Sequence, residues 1–132
     1  MAELFSDAWM KGYQAVWNSE PEVSDALAKI NFNSIIGVGF PDEDKPRGVF
    51  VVENGKAVRA GTYGGETLNW DMRAKQDDWL KWQEKGIGMT GLGMAAATGK
   101  LKFRVGDYAA MFKNPAMAGP FVKSFSLMGK VK

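Results

Sequence analysis

The first apolar residues of the chain recur with the period of a helix. They are separated by three or four positions, which predicts an amphipathic helix over residues 3–18. The residues that form this apolar stripe are Phe5, Trp9, Tyr13 and Val16. Pro21, placed just after a polar turn, favours the start of a second short helix that ends at Ala28. The N-terminal part is therefore predicted to be a pair of helices.

After this pair the apolar pattern changes to the two-residue period of strands. Asn54-Gly55 is a strong signal for a two-residue hairpin between two of these strands. Leu68, Trp70 and Met72 alternate with polar residues, so the last strand should have one buried face and one exposed face. The pattern predicts a meandering antiparallel sheet with strands over residues 31–40, 48–53, 56–60 and 66–72.

Helical signals return in the second half of the chain. Asp77 and Asp78 favour the N-terminus of a helix that runs to about Lys85 and ends at Gly86. Small residues predict a further short helix over residues 90–98. The last predicted helix spans residues 115–128, and its apolar stripe comprises Met117, Phe121, Phe125 and Met128.

Residues 99–111 combine a short strand with a helix start. Three apolar residues alternate with three cations, Gly106 ends the strand, and Asp107 occupies the position of a helix N-cap. The apolar residues are Leu101, Phe103 and Val105, and the cations are Lys100, Lys102 and Arg104. The cations should form a solvated face, and Phe103 should lie on the opposite face. An RNA-binding strand needs its cations and its base-stacking aromatic ring on the same face, so this arrangement disfavours RNA binding. Contact with an anionic lipid headgroup or a coenzyme A phosphate is the alternative role for these cations.

Composition favours a folded domain without the commonest catalytic groups. With 132 residues, 45% hydrophobic and 24% charged, the chain is predicted to form one domain over residues 1–132. A net charge of +2 is too small to indicate a nucleic-acid partner. Cysteine and histidine are both missing from the sequence, so a catalytic triad, a zinc site or a disulfide framework is not expected. We expect neither a metal nor a cofactor.

Targeting signals are also missing from the sequence. Glu3 and Asp7 precede the first lysine, which is unlike a secretory signal, and no apolar run approaches the roughly 20 residues that span a bilayer. The sequence ends in Gly-Lys-Val-Lys rather than in the peroxisomal tripeptide Ser-Lys-Leu. A cytoplasmic location is therefore expected.

Several short motifs admit a catalytic interpretation that their context disfavours. Residues 86–91 match G-x-G-x-x-G, the pattern of a dinucleotide-binding turn, which requires a strand before it. Here a predicted helix precedes the motif, so these residues are predicted to be a helix end and a hinge. The acidic run at residues 42–44 lacks the spacing of a calcium loop and is predicted to be an exposed connection. Asp71, Asp77 and Asp78 are the carboxylates available for acid–base chemistry, but a strand-exposed position and helix capping account for them.

The strand–turn–helix segment Gly99-Lys100-Leu101-Lys102-Phe103-Arg104-Val105-Gly106-Asp107, followed by Met111, resembles the sterol-carrier-protein-2 (SCP-2) family of lipid-binding domains. A strand at residues 67–72 before an Asp-led helix adds to the likeness, which covers nearly the whole chain. The resemblance implies a free-standing prokaryotic-type member with an α+β fold. It also implies a five-stranded, mostly antiparallel sheet covered by helices, with an apolar tunnel between them. Two features depart from the family pattern. The insert-like segment at residues 114–119, together with Pro120, is expected to reshape the tunnel mouth, and the missing peroxisomal tripeptide argues against the family's organellar role.

Such domains bind fatty acids, fatty acyl-CoA, phospholipids or sterols without catalysis, so we expect a lipid-transport protein with a hydrophobic small molecule as its partner. Strand alternation and helix faces predict an apolar site formed by Trp70, Trp79, Trp82, Met94, Phe103, Met111, Phe121 and Phe125.

One alternative function is that of an accessory protein or small enzyme for a CoA-linked substrate, with Asp71 or Asp78 as its acid–base residue. Another is a module that docks onto an acyl-CoA enzyme. The last helix is predicted to be a lid or cavity wall, with plain packing or transient membrane contact as alternatives.

Overall fold

The computed structural model describes residues 3–131, so the predicted domain limits at residues 1 and 132 lie outside the described residues. The helices are α1 (Asp7–Asn18), α2 (Ser24–Ala28), α3 (Gln76–Lys85), α4 (Met89–Thr98), α5 (Tyr108–Phe112) and α6 (Pro115–Met128). The strands are β1 (Ser34–Gly39), β2 (Gly48–Glu53), β3 (Lys56–Thr62), β4 (Trp70–Arg73) and β5 (Lys102–Val105). Of these helices, none is long and apolar enough to cross a membrane.

The five strands form one sheet in the order β3-β2-β1-β4-β5. β1 and β4 are parallel, and the other neighbouring pairs are antiparallel. This arrangement confirms the predicted α+β class and the mostly antiparallel sheet. The prediction of a continuous meander was wrong at β4, which lies beside β1 rather than beside β3. Parallel pairing requires a connection that crosses the sheet, and residues 63–69 provide it.

The helices cover one face of the sheet. The parallel register places Trp70 opposite Ile36 and Met72 opposite Val38, and these side chains belong to the core between sheet and helices. α1 packs against β2 and β3, whereas α6 contacts the other five helices of the described chain. α6 therefore joins the helical layer together.

α1 begins later than its apolar periodicity predicts. The Ser6 side chain accepts a hydrogen bond from the Trp9 backbone N–H, which caps the helix at that point. Phe5 has a positive φ of 63°, a conformation incompatible with a helix. Phe5 is nevertheless buried, so the apolar residue before the helix contributes to the core from a turn.

β4 is shorter than predicted because residues before it form a turn. The Tyr63 hydroxyl donates to the Glu66 carbonyl at 2.9 Å, and the Gly64 N–H donates to the Glu66 carboxylate at 2.7 Å. These contacts close a turn over residues 63–66. The regular strand starts only at Trp70.

β5 contains a bulge that changes which side chains are buried. Asp71 pairs with Val105 and Met72 pairs with Phe103, so Arg104 is the extra residue of the longer strand. The predicted alternation therefore fails after Phe103, and Val105 is 40% exposed rather than buried. Arg104 donates to the carbonyls of the 41–44 loop, at 2.7 Å to Pro41, so it is more than a solvated cation.

The second face of the sheet carries a buried ion pair. Asp71 and Arg73 are 6% and 0% exposed, and the Arg73 Nε–H donates to the Asp71 carboxylate at 2.6 Å. The prediction that Asp71 lies on an exposed face was wrong, because the loop of residues 41–47 folds over this part of β4. Arg73 holds that loop through hydrogen bonds to its carbonyls.

Candidate functional site

An apolar cavity lies between the sheet and the helices, with side chains from α1, α2, β1, β4, α5 and α6 in its wall. It is lined by Trp17, Leu27, Phe32, Ile36, Trp70, Met111, Met117 and Phe121. The Trp17 indole N–H donates to the Gly55 carbonyl at 2.8 Å, so this polar atom is already paired. The wall offers contacts to an apolar molecule and carries no charged side chain.

Trp70 reaches the cavity because Gly106 leaves room for its ring. A Cβ atom at position 106 would overlap the Trp70 indole, and the φ of 111° at Gly106 also favours glycine. The turn between β5 and α5 thus lies directly against one wall of the cavity. The glycine that ends the predicted strand therefore also determines the position of a cavity residue.

The cavity is small. The volume open to the centre of a water molecule is about 20 Å³. This is enough for one or two water molecules. An acyl chain or a sterol does not fit into this volume. The predicted apolar site is therefore a filled or contracted space in this conformation, and binding of a lipid would require its wall to move.

Most of the predicted site residues belong to one connected aromatic cluster. Phe121 lies between the two ends of this cluster, with ring centroids 6.3 Å from Trp70, 6.2 Å from Phe103 and 5.4 Å from Phe125. Phe125 in turn stacks on Trp79 at 5.9 Å and meets Trp82 at 5.9 Å. Trp79 and Phe125 are fully buried core residues beyond the cavity wall, and Trp82 is 7% exposed at the edge of the core. Trp70, Phe121 and the buried Met111 line the cavity itself.

Met94 lies apart from the other predicted site residues. It is 63% exposed on α4 and borders a shallow surface depression together with Trp82 and Lys81. Helix α4 turns Leu92 and Ala95 inward instead. The structure therefore places Met94 on the surface rather than beside Met111.

The cavity also includes residues outside the site predicted from the sequence. These are Trp17, Leu27, Phe32, Ile36 and Met117. Met117 lies four positions before Phe121 on the same predicted stripe, so helical spacing alone could have identified it. For the residues of α1, α2 and β1, local periodicity indicates burial but gives no information about which elements meet across the core.

Charged groups lie around the site rather than in it. Both oxygens of Asp71 accept hydrogen bonds from Arg73, at 2.6 and 3.1 Å. In the loop above this pair, hydrogen bonding from Arg47 lowers the pKa of the Glu43 carboxyl. Burial raises the pKa of Tyr13, whose hydroxyl donates to the Ser124 carbonyl and connects α1 to α6. Within residues 3–131, no cluster of three or more acidic side chains is arranged to hold a metal ion.

Sequence comparisons found no match among protein-family models or among curated proteins. Solved structures do match. Sterol carrier protein 2 superposes with a TM-score of 0.76 at 17% identity, over 98% of this chain and 100% of that chain. This chain has an SCP-2-like fold.

Two further structures share this SCP-2-like fold. A conserved hypothetical protein of Thermus thermophilus, described as a candidate sterol carrier protein, matches with a TM-score of 0.63 and 21% identity. The match covers 98% of this chain and 90% of that one. The ubiquinone synthesis protein UbiJ-SCP2 matches with a TM-score of 0.58 and 12% identity, over 88% of this chain and 84% of that one. The resemblance seen in residues 99–111 thus extends to the whole architecture.

Proposed function

We propose that this SCP-2-like protein binds a hydrophobic ligand between its sheet and its C-terminal helices and carries it, without chemical conversion. The observation that carries the proposal is the uncharged cavity lined by aromatic residues and methionines. Fatty acids, fatty acyl-CoA, phospholipids and sterol- or terpenoid-like molecules are the ligand classes that such a wall suits. Burial of their apolar surface contributes roughly 25 cal/mol per Å² before ordering costs are subtracted.

The wall formed by α5 and α6 is the part that we expect to move. It contributes Met111, Met117 and Phe121 to the cavity, and methionine adapts its shape to different apolar partners. Pro120 lies inside α6 and has no N–H to donate to the preceding turn. The turn that carries Met117 and Phe121 is therefore held by fewer hydrogen bonds than an ordinary helix.

A surface groove beside the cavity gives a route for the ligand. α2 and α6 border both spaces, and the groove is lined by Ala26, Ile30, Pro115, Ala116, Gly119 and Pro120 with Glu22, Lys29 and Lys123. Lys123 pairs with Glu22 at 3.4 Å across this groove. A ligand with an anionic head group would leave that group at the surface, next to the two lysines.

Native mass spectrometry of the freshly purified protein, followed by organic extraction, is the direct test of ligand binding. We expect a stoichiometric lipid, acyl-CoA or terpenoid to be released. An empty protein that also fails to take up a fluorescent fatty acid would contradict the carrier function. Because Trp17 and Trp70 line the cavity, their fluorescence provides a second readout of uptake.

Substitution of Met117 by aspartate tests the position of the site. A carboxylate in an apolar wall would have to be desolvated by the ligand, so we expect Met117→Asp to weaken binding of a fluorescent fatty acid at least about tenfold. Val58→Asp, at a 50% exposed position on β3, is the matched control and should bind like the original protein. Equal affinities for the two variants would show that the ligand lies elsewhere.

A second candidate function is an accessory role in the biosynthesis of a hydrophobic molecule, in which the protein presents a bound intermediate to an enzyme such as an acyl-CoA-processing enzyme. The likeness to UbiJ-SCP2, named as a ubiquinone synthesis protein, favours this candidate. A catalytic role for Asp71 is less well supported, since its carboxylate is buried and paired with Arg73. Loss of turnover in Asp71→Asn with unchanged ligand binding would favour an enzyme over a carrier.

A further inference from the structure

The two edge strands of the sheet, β3 and β5, differ in how their outer sides are covered. An edge strand points alternate backbone N–H and C=O groups away from the sheet, and these groups can pair with a further strand. Whether an edge is closed or open therefore decides where another chain can add to the sheet.

The edge of β3 is closed by side chains of α1. The Ala57 N–H donates to the Asn18 side-chain oxygen at 2.8 Å, and the Asn18 amide donates back to the Ala57 carbonyl at 2.8 Å. Gln14 donates to the same carbonyl at 3.0 Å, and Asp7 accepts from the Thr62 N–H at 3.2 Å. These contacts occupy backbone groups that an added strand would need.

The edge of β5 carries no such cover. Apart from its ladder with β4, the backbone of residues 102–105 forms no hydrogen bond with the backbone of any residue in the described range 3–131. Lys102, Arg104 and Val105 are exposed. β5 therefore presents free backbone donors and acceptors to solvent.

The charges of β5 indicate what kind of strand fits this edge. Lys102 forms no ion pair with a described residue, whereas Arg104 is turned to the carbonyls of the 41–44 loop. A second copy of β5 would bring two more cations and no carboxylate to the edge, and like charges on neighbouring strands repel each other. The short length and the bulge of β5 also oppose pairing with another copy. A strand that carries carboxylates gains an ion pair with Lys102 instead.

The two faces of this edge differ in polarity. Lys102 lies opposite Arg73, on the outer face of the sheet. Phe103 packs against the core on the inner face, and the ring of Tyr108 stacks on it at a centroid distance of 5.0 Å. Tyr108 is 36% exposed. An added strand would therefore find a cation on one face and an aromatic surface on the other, which suits alternating acidic and apolar residues.

We propose that β5 accepts an extended acidic segment of a partner protein as a sixth strand of the sheet. Main-chain hydrogen bonds along the open edge supply the affinity, and the alternation of side chains supplies the selectivity. Carboxylates of the segment pair with Lys102, and its apolar residues pack beside Phe103 and Tyr108. This docking is independent of the carrier function, because Lys102 lies outside the cavity wall.

A labelled hexapeptide of alternating glutamate and valine tests the proposal with the intact protein. We expect saturable binding by fluorescence anisotropy that weakens as salt is added, because screening weakens the contact with Lys102. Backbone hydrogen exchange of residues 102–105 should slow when the peptide binds, while that of residues 56–62 in the closed edge should not change. The same peptide with N-methylated backbone amides should not bind, since it lacks the donors for the added ladder.

Charge reversal at Lys102 tests the selectivity. Lys102→Glu should weaken binding of this peptide about fivefold, and Lys102→Gln about twofold, because repulsion or a neutral contact replaces the cross-strand ion pair. Lys130→Glu is the matched control: it changes the net charge by the same amount at an exposed position after α6 and should bind like the original protein. Both lysines are exposed, so circular dichroism should show folded variants.

Absence of peptide binding would overturn the proposal, and so would equal binding of a peptide of alternating lysine and valine. Unchanged hydrogen exchange at residues 102–105, or an equal loss of affinity in Lys130→Glu, would also contradict it. Self-association through residues 102–105, detected by analytical ultracentrifugation and hydrogen exchange, would assign the edge to a second copy instead. Uptake of a fluorescent fatty acid by the original protein and by Lys102→Glu tests the carrier function separately.

Discussion

The buried Arg73 attaches the 41–47 loop to the outer side of the sheet. Its guanidinium is buried and forms a two-point contact with Asp71. Its N–H groups also donate to the Phe40 carbonyl, just before the 41–47 loop, at 3.1 Å. Within the loop they donate to the carbonyls of Glu43 at 2.7 Å and Asp44 at 3.4 Å. The planar, always charged guanidinium suits such a set of fixed acceptors. The loop is thereby attached to β4 without an apolar core of its own.

Replacement of Arg73 by methionine should therefore destabilise the protein strongly. It leaves the Asp71 carboxylate buried without a partner, and we expect a loss of about 3–5 kcal/mol in the free energy of unfolding, measured by urea denaturation. Arg104→Met is the matched control, since Arg104 holds the same loop from an exposed position and should cost about 1 kcal/mol or less. A similar loss in both variants would show that burial of the ion pair is not what matters.

At the scale of elements, the junction of β5 and α5 connects local chain geometry to the cavity. Asp107 caps α5 by accepting from the Ala110 N–H at 3.0 Å, and Gly106 just before it makes room for the Trp70 ring. The bulge at Arg104 rotates the end of β5 so that Arg104 reaches the 41–44 loop. Residues 104–107 thus determine where α5 begins, how β5 contacts the 41–44 loop and where Trp70 lies in the cavity wall.

Gly106→Ala should move Trp70 as well as destabilise the protein. The left-handed backbone and the contact with the indole together should cost about 1–3 kcal/mol, and tryptophan fluorescence should change. Gly99→Ala is the matched control, because Gly99 also has a positive φ of 82° but faces open space. Equal losses of stability and an unchanged fluorescence in both variants would argue against the packing of Trp70 on Gly106.

At the scale of the whole molecule, the proposed carrier function would give α6 two roles that conflict. It contacts the other helices of the described chain, so it stabilises the helical layer, yet its first half must move if a lipid is to enter a cavity of about 20 Å³. Its two halves differ accordingly. Phe125, Leu127 and Met128 are buried together near the C-terminal end, whereas the first half alternates the buried Ala118 and Pro120 with the exposed Ala116 and Gly119. We propose that the C-terminal half remains in the core when the N-terminal half opens to a ligand.

Removal of the internal proline should restrict this opening. Pro120→Ala supplies the missing N–H to the helix, a change worth up to about 3 kcal/mol, so hydrogen exchange of residues 117–124 should slow. Uptake of a fluorescent fatty acid, followed by stopped flow, should slow with it. Pro115→Ala is the control, since a proline at the first helical position costs no hydrogen bond. Faster uptake in Pro120→Ala would contradict this view of the cavity wall.

The sequence by itself determined those features whose physical cause lies within a few residues. Asn54 and Gly55 adopt the positive φ values of 49° and 81° that their hairpin requires. Asp107 caps α5, and Gly86 ends α3 with a φ of 73°. Apolar periodicity located most helices and strands, and the resemblance of residues 99–111 and of the element order to a known family implied the fold class. Their exact ends, as at Ser6, depended on individual side-chain hydrogen bonds.

The tertiary structure alone decided which elements meet. The pairing of β4 with β1, the burial of Asp71 beneath the 41–47 loop, and a cavity with residues from both ends of the chain all depend on contacts between residues distant in sequence. Met94 and Met117 show the consequence: both lie on helices beside apolar residues, but one is exposed and the other lines the cavity. Periodicity indicates which face of a helix is apolar, whereas the packing of that helix on its neighbours decides what this face touches.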